Sequence, residues 1–314
     1  MPAAMPGAMR VCEVTAFGAA DVLRVSERPW PVPAIGELVV EIAAATVNPT
    51  DVGARSGAHR HRMPDLQTPF VPGWDLAGVV RELGHGTTGF AVGDPVVGMI
   101  PWVRIGGRTG SYAQAAAVQV GWLAPRPPGL DAVTGATVPL NALTARQALE
   151  LIDAPAGARI LITGASGAVG GFATQLAARA GLHVLAVAST GDEEWVAGLG
   201  ASEVLPRDAD LREIGRVDAV LDAVPVGVRA VAPVREGGVA VFTRRVQGLP
   251  ADRQLRVEMP LVRSDARALA ELAEAVATGG LRTRVACTRD LADAAQAHRL
   301  VERGGLRGKV VLTT

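Results

Sequence analysis

Short runs of β-branched and other apolar residues fill about the first 120 residues of the chain. Glycine and proline separate these runs, and regular short strands punctuated in this way are typical of a small β-barrel. The five predicted strands are RVCEVTAF, LRVSERPWP, GELVVEIAAATV, DLAGVVREL and DPVVGMI. The pattern therefore predicts a barrel-like β domain in the first part of the chain.

The hydrophobic pattern takes on a helical period after the segment LAPRPPGL, where it predicts one helix over residues 131–151. From residue 158 onward, predicted strands alternate with predicted helices, which indicates a parallel sheet covered by helices. These strands are RILIT, HVLAV, SEVLP, VDAVLDAV, GGVAVFT and LRVEMPLV. The last part of the chain adds two predicted helices and the strands RTRVAC and GKVVLTT. The chain is therefore predicted to belong to the α/β class.

Charge and composition narrow the class of protein. Lys and Arg number 31 and Asp and Glu number 31, so the net charge is zero and gives no support for a nucleic-acid partner. No apolar run reaches the roughly 18 residues that a membrane span needs, and the opening MPAAMPGAMR lacks the pattern of a secretory signal. The two cysteines, Cys12 and Cys287, suit a reducing compartment. We expect a cytoplasmic protein.

A glycine-rich turn, ILITGASGAVGG, joins a predicted strand to a predicted helix at residues 160–171. In dinucleotide-binding folds one glycine makes the tight turn, another lets the backbone approach the pyrophosphate, and a third lets helix and strand pack closely. The helix that follows offers free N–H groups to the phosphates. Because Gly164 and Gly167 are three residues apart rather than the usual two, an ordinary β–α turn stays open as the alternative.

Five segments occur in order along the chain: AAATVNPTDVGARSG, PFVPGWDLAGVVRELGHGTTGFAVGDPVVG, GSYAQ, ITGASGAVGGFATQLAARAG and AQAHRLVERGGLRGKVVLTT. Together they resemble the zinc-independent medium-chain dehydrogenases/reductases, in particular the quinone oxidoreductases related to zeta-crystallin. The resemblance extends from about Arg10 to Thr314. It implies a GroES-like β-barrel domain over residues 1–127, completed by the C-terminal segment 264–314, and a Rossmann domain with a doubly wound parallel sheet over residues 128–263.

The resemblance also bears on metal binding. Zinc-dependent relatives carry a catalytic cysteine where this chain has TVNPTD, and a His-Glu pair where it has Trp74 and Asp75. Since zinc needs about three Cys, His or carboxylate ligands, we predict that the protein binds no metal. His59 and His61 could in principle form a metal pair, but a solvated or substrate-gating role is the preferred interpretation.

Two residues are predicted to be catalytic on the strength of the resemblance. It places Asn48 near the nicotinamide and the substrate, at the cleft between the domains, where its amide would donate to a substrate carbonyl oxygen. The alternative is that Asn48 only shapes a turn before Pro49. Asp51 is predicted to cap the helix that begins there. Thr144 matches a threonine beside the nicotinamide in relatives, or it is an ordinary helical residue.

The cofactor is predicted to be NADP(H), with NAD(H) as the less favoured alternative. The implied cofactor-binding residues are Gly164, Ala165, Ser166, Gly167, Ala168, Val169, Gly170, Ser189, Thr190, Phe242 and Thr243. The small hydroxyl residues Ser189 and Thr190 stand where NAD-specific sites place an acidic residue. Three carboxylates at 192–194 would repel a 2′-phosphate, unless they point to solvent or Arg207 or Arg244 covers it.

The resemblance implies hydride transfer from NAD(P)H to a quinone or similar conjugated carbonyl substrate. His59, Trp74 and Trp102 are the predicted substrate-lining residues. One alternative is an enoyl reductase that acts on an α,β-unsaturated carbonyl compound in a biosynthetic pathway. Another, from a different class, is an NADPH-binding regulatory or structural module with little turnover. Relatives are commonly dimers, so a homodimer without a nucleic-acid or membrane partner is expected.

Overall fold

The computed structural model describes residues 7–314, so residues 1–6, at the start of the predicted non-secretory opening, lie outside the described residues. The strands are β1 (Ala8–Val14), β2 (Leu23–Pro29), β3 (Glu37–Thr46), β4 (Asp75–Leu83), β5 (Pro95–Met99), β6 (Ala115–Gln119), β7 (Leu123–Pro125), β8 (Arg159–Thr163), β9 (His183–Ala188), β10 (Glu203–Pro206), β11 (Val217–Asp222), β12 (Val234–Phe242), β13 (Arg256–Glu258), β14 (Val285–Asp290) and β15 (Lys309–Thr313). The α-helices are α1 (Pro49–Ser56), α2 (Ala132–Gly135), α3 (Pro139–Ile152), α4 (Ala168–Arg179), α5 (Glu193–Ala197), α6 (Ala266–Ala277) and α7 (Ala294–Arg303).

The chain forms two compact units. The first contains the described residues up to Leu140 together with Arg263–Gly280 and Arg284–Thr314. The second contains Asn141–Val262 and Leu281–Thr283. Both units are therefore assembled from separate stretches of the chain.

The first unit is built on a seven-stranded sheet. Its strands follow the order β14-β15-β3-β4-β5-β7, and β6 pairs with β3 outside this path. All pairs are antiparallel except β14 with β15. The last strand, β15, pairs with β3, with Val311 opposite Thr46. The C-terminal strands therefore belong to the same sheet as strands from the first part of the chain.

The second unit contains a six-stranded sheet in the order β10-β9-β8-β11-β12-β13. Every pair in it is parallel. This is the strand order of a doubly wound dinucleotide-binding fold, in which the order reverses between the first strand and the fourth. The switch point therefore lies between β8 and β11, and the predicted Rossmann architecture is confirmed.

The helix predicted over residues 131–151 is two helices, α2 and α3. Pro139 is the first residue of α3; it lacks an N–H to donate and disfavours helical backbone at the residue before it. Helix α2 packs against β3 and β4. The first stretch of the first unit ends at Leu140, and the domain boundary at 127/128 stays a prediction.

No helix within residues 7–314 is both long enough and apolar enough to cross a bilayer. The longest, α3, has 14 residues, fewer than the roughly 20 that a helical span requires.

Candidate functional site

The turn after β8 has the backbone shape of a phosphate-binding loop. Gly164 directly follows β8 and has a φ of +65°, in the left-handed region that favours glycine. A Cβ built on Gly164 would lie 2.4 Å from Cγ1 of Val224. No other residue fits there without backbone strain and movement of that side chain, so Gly164 makes the tight turn.

Gly170 lies in the first turn of α4 and packs directly on this loop. A Cβ on Gly170 would lie 2.3 Å from the carbonyl oxygen of Gly164, a backbone atom that cannot easily move away. Gly167 donates its N–H to the same oxygen at 2.9 Å, and a Cβ on Gly167 would be 3.3 Å from it. With the three-residue spacing, the loop therefore folds back on the carbonyl oxygen of Gly164. Glycine is required at Gly164 and Gly170.

The N-terminus of α4 offers backbone donors beside the loop. The first bond within the helix runs from the N–H of Gly171 to the carbonyl of Gly167 at 2.8 Å. The N–H groups of Ala168, Val169 and Gly170 therefore have no acceptor within the helix. Such groups, aided by the helix dipole, bind phosphate oxygens. The donor set and the glycine cradle fit the pyrophosphate of a dinucleotide.

Two hydrogen bonds join this loop to the end of β9. Ala165 donates its N–H to the carbonyl of Val187 at 3.1 Å. Ser189 donates its N–H to the hydroxyl oxygen of Ser166 at 2.9 Å. The residues after this strand are the ones that contact the adenosine ribose in Rossmann folds. The two hydrogen bonds therefore fix the position of these residues relative to the glycine-rich turn.

The three carboxylates after β9 differ in their surroundings. Glu193 accepts a hydrogen bond from the N–H of Gly191 at 2.8 Å. Asp192 is buried and Glu194 is exposed. The carboxylate of Glu193 is therefore hydrogen-bonded to the backbone two residues before it.

Asp222, at the end of β11, is a residue that motif analysis missed. It is buried, and its carboxylate accepts hydrogen bonds from the hydroxyl of Thr163 at 2.5 Å and from the N–H of Gly227 at 2.8 Å. Burial raises the pKa of Asp222, while these hydrogen bonds and the nearby Arg244 oppose the shift. The available signal was an aspartate that closes the apolar run VDAVLD, at the edge where parallel sheets bind ligands.

The predicted nicotinamide-side residues lie at the same edge of the second unit. Phe242 ends β12 and is buried. Thr243 donates both its N–H and its hydroxyl to the carbonyl oxygen of Asp222, each at 3.1 Å. Because the carboxyl ends of β8, β11 and β12 meet at this edge, the structure brings Thr243 and the glycine loop to one side of the sheet.

In the first unit, the N-cap residue of α1 is Asn48, and Asp51 caps this helix from its first turn rather than from the start of the helix, where it was predicted. Pro49 opens the helix, where its missing N–H has no cost. Asp51 lies within the first turn, and its carboxylate accepts a hydrogen bond from the backbone N–H of Asn48 at 2.9 Å. The carboxylate thus reaches back to the turn from inside the helix.

The side chain of Asn48 is buried and fully engaged. Its Oδ1 accepts a hydrogen bond from Nζ of Lys309 at 2.5 Å. Its Nδ2 donates to Oδ2 of Asp75 at 2.7 Å and to Oγ1 of Thr46 at 3.3 Å. Since Asn48 is only 1% exposed, this arrangement does not present the free amide donor that was predicted for a substrate carbonyl.

Lys309 and two carboxylates form a buried charged cluster with Asn48. Burial lowers the pKa of Lys309, and the charges of Asp75 and Asp51 oppose that shift. Burial raises the pKa of Asp75 and raises that of Asp51 to about 7. Motif analysis missed Lys309, for which the only signal was a lysine that opens the apolar C-terminal strand.

Trp102 lies in the core, so the prediction that it lines a substrate pocket is corrected. Its ring is fully buried, stacks on Phe70 at 5.3 Å between centroids and meets Trp74 edge-on at 6.3 Å. Its indole N–H donates to Asp51 at 3.2 Å. Trp74 is 8% exposed, and its indole nitrogen is buried without a partner among the described residues.

The remaining predicted residues lie in different units. His59, in the first unit, packs its ring against α1, where a Cβ on Gly53 would come within 2.2 Å of the imidazole. Thr144 lies on α3 in the second unit and is half-buried. Within residues 7–314 no group of three or more His, Cys, Asp or Glu side chains is arranged to hold a metal ion.

Comparisons with known proteins match both parts of the chain. Residues 34–128 match the alcohol dehydrogenase GroES-like domain, and residues 199–312 match the family described as zinc-binding dehydrogenase. The first match confirms the predicted GroES-like domain. A solved quinone oxidoreductase from Coxiella burnetii is 26% identical and superposes with a TM-score of 0.88, with 98% of this chain and 99% of that chain covered.

Two curated relatives show which family the chain belongs to. The 2-methylene-furan-3-one reductase of Solanum lycopersicum is 35% identical over 77% of this chain, but the match spans only 64% of that protein. The chloroplast envelope quinone oxidoreductase homolog of Arabidopsis thaliana is 30% identical over 94% of this chain and 95% of that protein. The chain therefore belongs to the quinone oxidoreductase family of the medium-chain dehydrogenases/reductases.

Proposed function

We propose that the protein is an NADPH-dependent oxidoreductase that reduces quinones or similar conjugated carbonyl compounds. The observation that carries the proposal is the turn after β8, with Gly164 in the left-handed region and Gly170 against its carbonyl oxygen. This turn stands at the switch point of the sheet, where dinucleotides bind in such folds. The names of the relatives, a quinone oxidoreductase homolog and a furanone reductase, support the class of acceptor.

A bound nicotinamide cofactor would supply the hydride, so the protein must hold cofactor and acceptor and exclude water. The N–H groups at 168–170 would bind the pyrophosphate. The backbone at Phe242 and Thr243 would hold the carboxamide, and Thr144 remains the predicted neighbour of the nicotinamide ring. His59 and Trp74 remain the candidates for contact with the acceptor.

NADPH is preferred over NADH in this proposal because of the chemistry after β9. No carboxylate stands at Ala188, Ser189 or Thr190, where NAD sites use an acid to hold the ribose 2′-hydroxyl. Hydroxyl groups can donate to a 2′-phosphate, and the carboxylate of Glu193 is engaged with the N–H of Gly191. We expect a higher kcat/KM with NADPH, and a clear preference for NADH would refute this part.

We also propose that turnover needs no metal ion. The ammonium of Lys309 donates to Asn48, whose amide also binds Asp75, and the resemblance implies that zinc-dependent relatives carry ligands in the segments of Asn48 and Asp75. A fixed buried cation would repel Zn²⁺ from this cluster. Protein purified without added metal should contain far less than one zinc per chain by elemental analysis. Stoichiometric zinc together with chelator-sensitive turnover would contradict the proposal.

The role proposed for Asn48 is positional. Its amide bridges Lys309 and Asp75 and thereby holds the segment TVNPTD in place. A donor for the oxygen that gains negative charge is then left to a backbone N–H, to water or to the cofactor ribose. Asn48→Ala and Asn48→Asp test whether this bridge contributes to turnover at all.

The name of the Solanum lycopersicum relative favours a second candidate, reduction of an α,β-unsaturated carbonyl compound. A panel of quinones and enones, followed by the loss of reduced-nicotinamide absorbance, separates the two. Turnover of quinones supports the first candidate, and turnover of enones alone supports the second. Tight NADPH binding without turnover on either panel would instead indicate a binding module.

A further inference from the structure

The main chain and the side chain of Asp222 join three strand ends of the second unit. Oδ1 accepts the hydroxyl of Thr163, the last residue of β8, at 2.5 Å. The carbonyl oxygen of Asp222 accepts the N–H and the hydroxyl of Thr243, which follows β12. Asp222 is therefore bonded to the residue that enters the glycine turn and to the residue predicted to face the nicotinamide.

The other carboxylate oxygen of Asp222 shapes the loop that follows β11. Oδ2 accepts the N–H of Gly227 at 2.8 Å, and Gly227 has a φ of +70°. The loop between them brings Val224 against Gly164, so closely that a Cβ on Gly164 would lie 2.4 Å from its Cγ1. The carboxylate thus closes residues 222–227 into a loop that rests on the glycine turn.

We propose that Asp222 is a positioning residue for the nicotinamide cofactor, acting through Thr163, Thr243 and the 222–227 loop. The inference rests on the nicotinamide cofactor of the proposed function. It deepens that function by naming the residue that fixes the position of the pyrophosphate-binding turn relative to the segment that would contact the nicotinamide.

Replacement of the carboxylate would leave one buried donor and one half-buried donor without acceptors. In Asp222→Ala the hydroxyl of Thr163 and the N–H of Gly227 both lose their partner, and an unsatisfied buried group favours local rearrangement. In Asp222→Asn the amide oxygen can still accept from Gly227, and the hydroxyl of Thr163 can turn to accept from the amide. The Asn variant should therefore retain most of the function.

The experiment measures dissociation constants of the full-length protein by calorimetry with two probes. NADPH spans the whole site, whereas adenosine 2′,5′-bisphosphate lacks the pyrophosphate and the nicotinamide. We expect Asp222→Ala to weaken NADPH about tenfold and Thr163→Val about threefold, with Asp222→Asn close to wild type. Affinity for adenosine 2′,5′-bisphosphate should change less than twofold in all three.

The matched control is Asp218→Ala, on the same strand. Asp218 accepts hydrogen bonds from the N–H of Arg159 and from the guanidinium of Arg235, but it lies at the opposite end of β11. Its loss should leave both dissociation constants unchanged. Thr163→Val keeps the test decisive if Asp222→Ala does not fold.

Three results would overturn the inference: wild-type NADPH affinity in Asp222→Ala or, should that variant not fold, in Thr163→Val; equal losses for both probes; or Asp222→Asn as weak as Asp222→Ala. These results are independent of turnover. A wild-type protein that binds NADPH but reduces no quinone or enone would refute the proposed function and leave this inference standing. A wild-type protein that binds neither NADPH nor NADH would refute both.

Discussion

The ammonium nitrogen of Lys309 lies 2.5 Å from Oδ1 of Asn48, 261 residues away along the chain. It also donates to the carbonyl oxygen of Val47 at 2.9 Å. On the other side of the amide, Nδ2 of Asn48 donates to Asp75. Because a cation holds one end of the amide and a carboxylate the other, its orientation is determined, and the turn that begins α1 is tied to the last strand of the sheet.

Replacement of Lys309 by methionine should strongly destabilise the first unit. The substitution keeps most of the side-chain volume but leaves Asp75 and Asp51 buried without their cation. Loss of one partner from a buried charged group costs about 3 kcal/mol or more. We expect this as a lowered urea midpoint in equilibrium unfolding.

The control for this prediction is Arg81→Met. Arg81 pairs with Glu41 on the surface, with both side chains nearly half exposed, and such pairs contribute about 0–1 kcal/mol. The midpoint of Arg81→Met should therefore stay close to that of the wild type. A Lys309→Met protein as stable as Arg81→Met would show that the buried cluster does not hold the sheet.

Substitution of Asn48 should affect turnover while sparing cofactor binding. Asn48→Ala removes the bridge between Lys309 and Asp75, and we expect kcat/KM to fall about tenfold with the NADPH dissociation constant within twofold. Asn48→Asp should be worse, since it places a carboxylate 2.7 Å from that of Asp75 in place of a donor. Wild-type kcat/KM in both variants would reduce Asn48 to a turn residue.

Substitutions in the glycine loop should act on cofactor affinity. Gly164→Ala and Gly170→Ala each drive a Cβ to within 2.4 Å of neighbouring atoms, so the phosphate cradle must deform and NADPH should bind at least about tenfold more weakly. Gly157→Ala is the control, since Gly157 has a φ of +85° with open space around it. An unchanged dissociation constant in Gly164→Ala would place the cofactor elsewhere.

His298 should make stability depend on pH. Its Nε2 lies 3.0 Å from the hydroxyl of Tyr112, and burial, with the charge of Arg55, lowers the pKa of His298 from 6.5 to about 3. Between these values the unfolded chain binds a proton that the folded chain does not. The contribution of His298 to stability is therefore present above pH 6.5 and is lost as pH falls toward 3, by at most about 1.4 kcal/mol per pH unit.

The measurement is a comparison with His298→Gln, which cannot take up the proton. Urea midpoints between about pH 7 and pH 4.5 should fall more steeply for the wild type than for the variant. Parallel curves would show that His298 titrates equally in the folded and unfolded chains.

The second unit could be predicted well from its hydrophobic pattern. Strands buried in a parallel sheet are continuous apolar runs, and RILIT and VDAVLD stand out for that reason. The first unit was harder, since β6 has the sequence AAAVQ and alanine is a poor strand former. This strand exists because it pairs with β3, a contact that no local pattern reveals.

The residues of the candidate site also differ in how far the local sequence predicts them. The glycine turn is local, so its position between strand and helix could be predicted from the sequence, although its spacing left an ordinary β–α turn open as the alternative. Lys309 and Asp222 act through partners on other strands, and their importance depends on the pairing of β15 with β3 and of β11 with β8. Trp102 was misplaced for a related reason, because an aromatic residue in a loop gives no sign of which face it turns to the core.

The measurement that tests the central claim most directly is the oxidation of NADPH by chelator-treated protein with a simple quinone as acceptor, with the quinol product quantified. We predict one quinol per NADPH consumed, undiminished by the chelator, and a lower kcat/KM when NADH replaces NADPH. Absence of quinol formation, or activity that disappears with the chelator and returns with zinc, would contradict metal-free hydride transfer to a quinone.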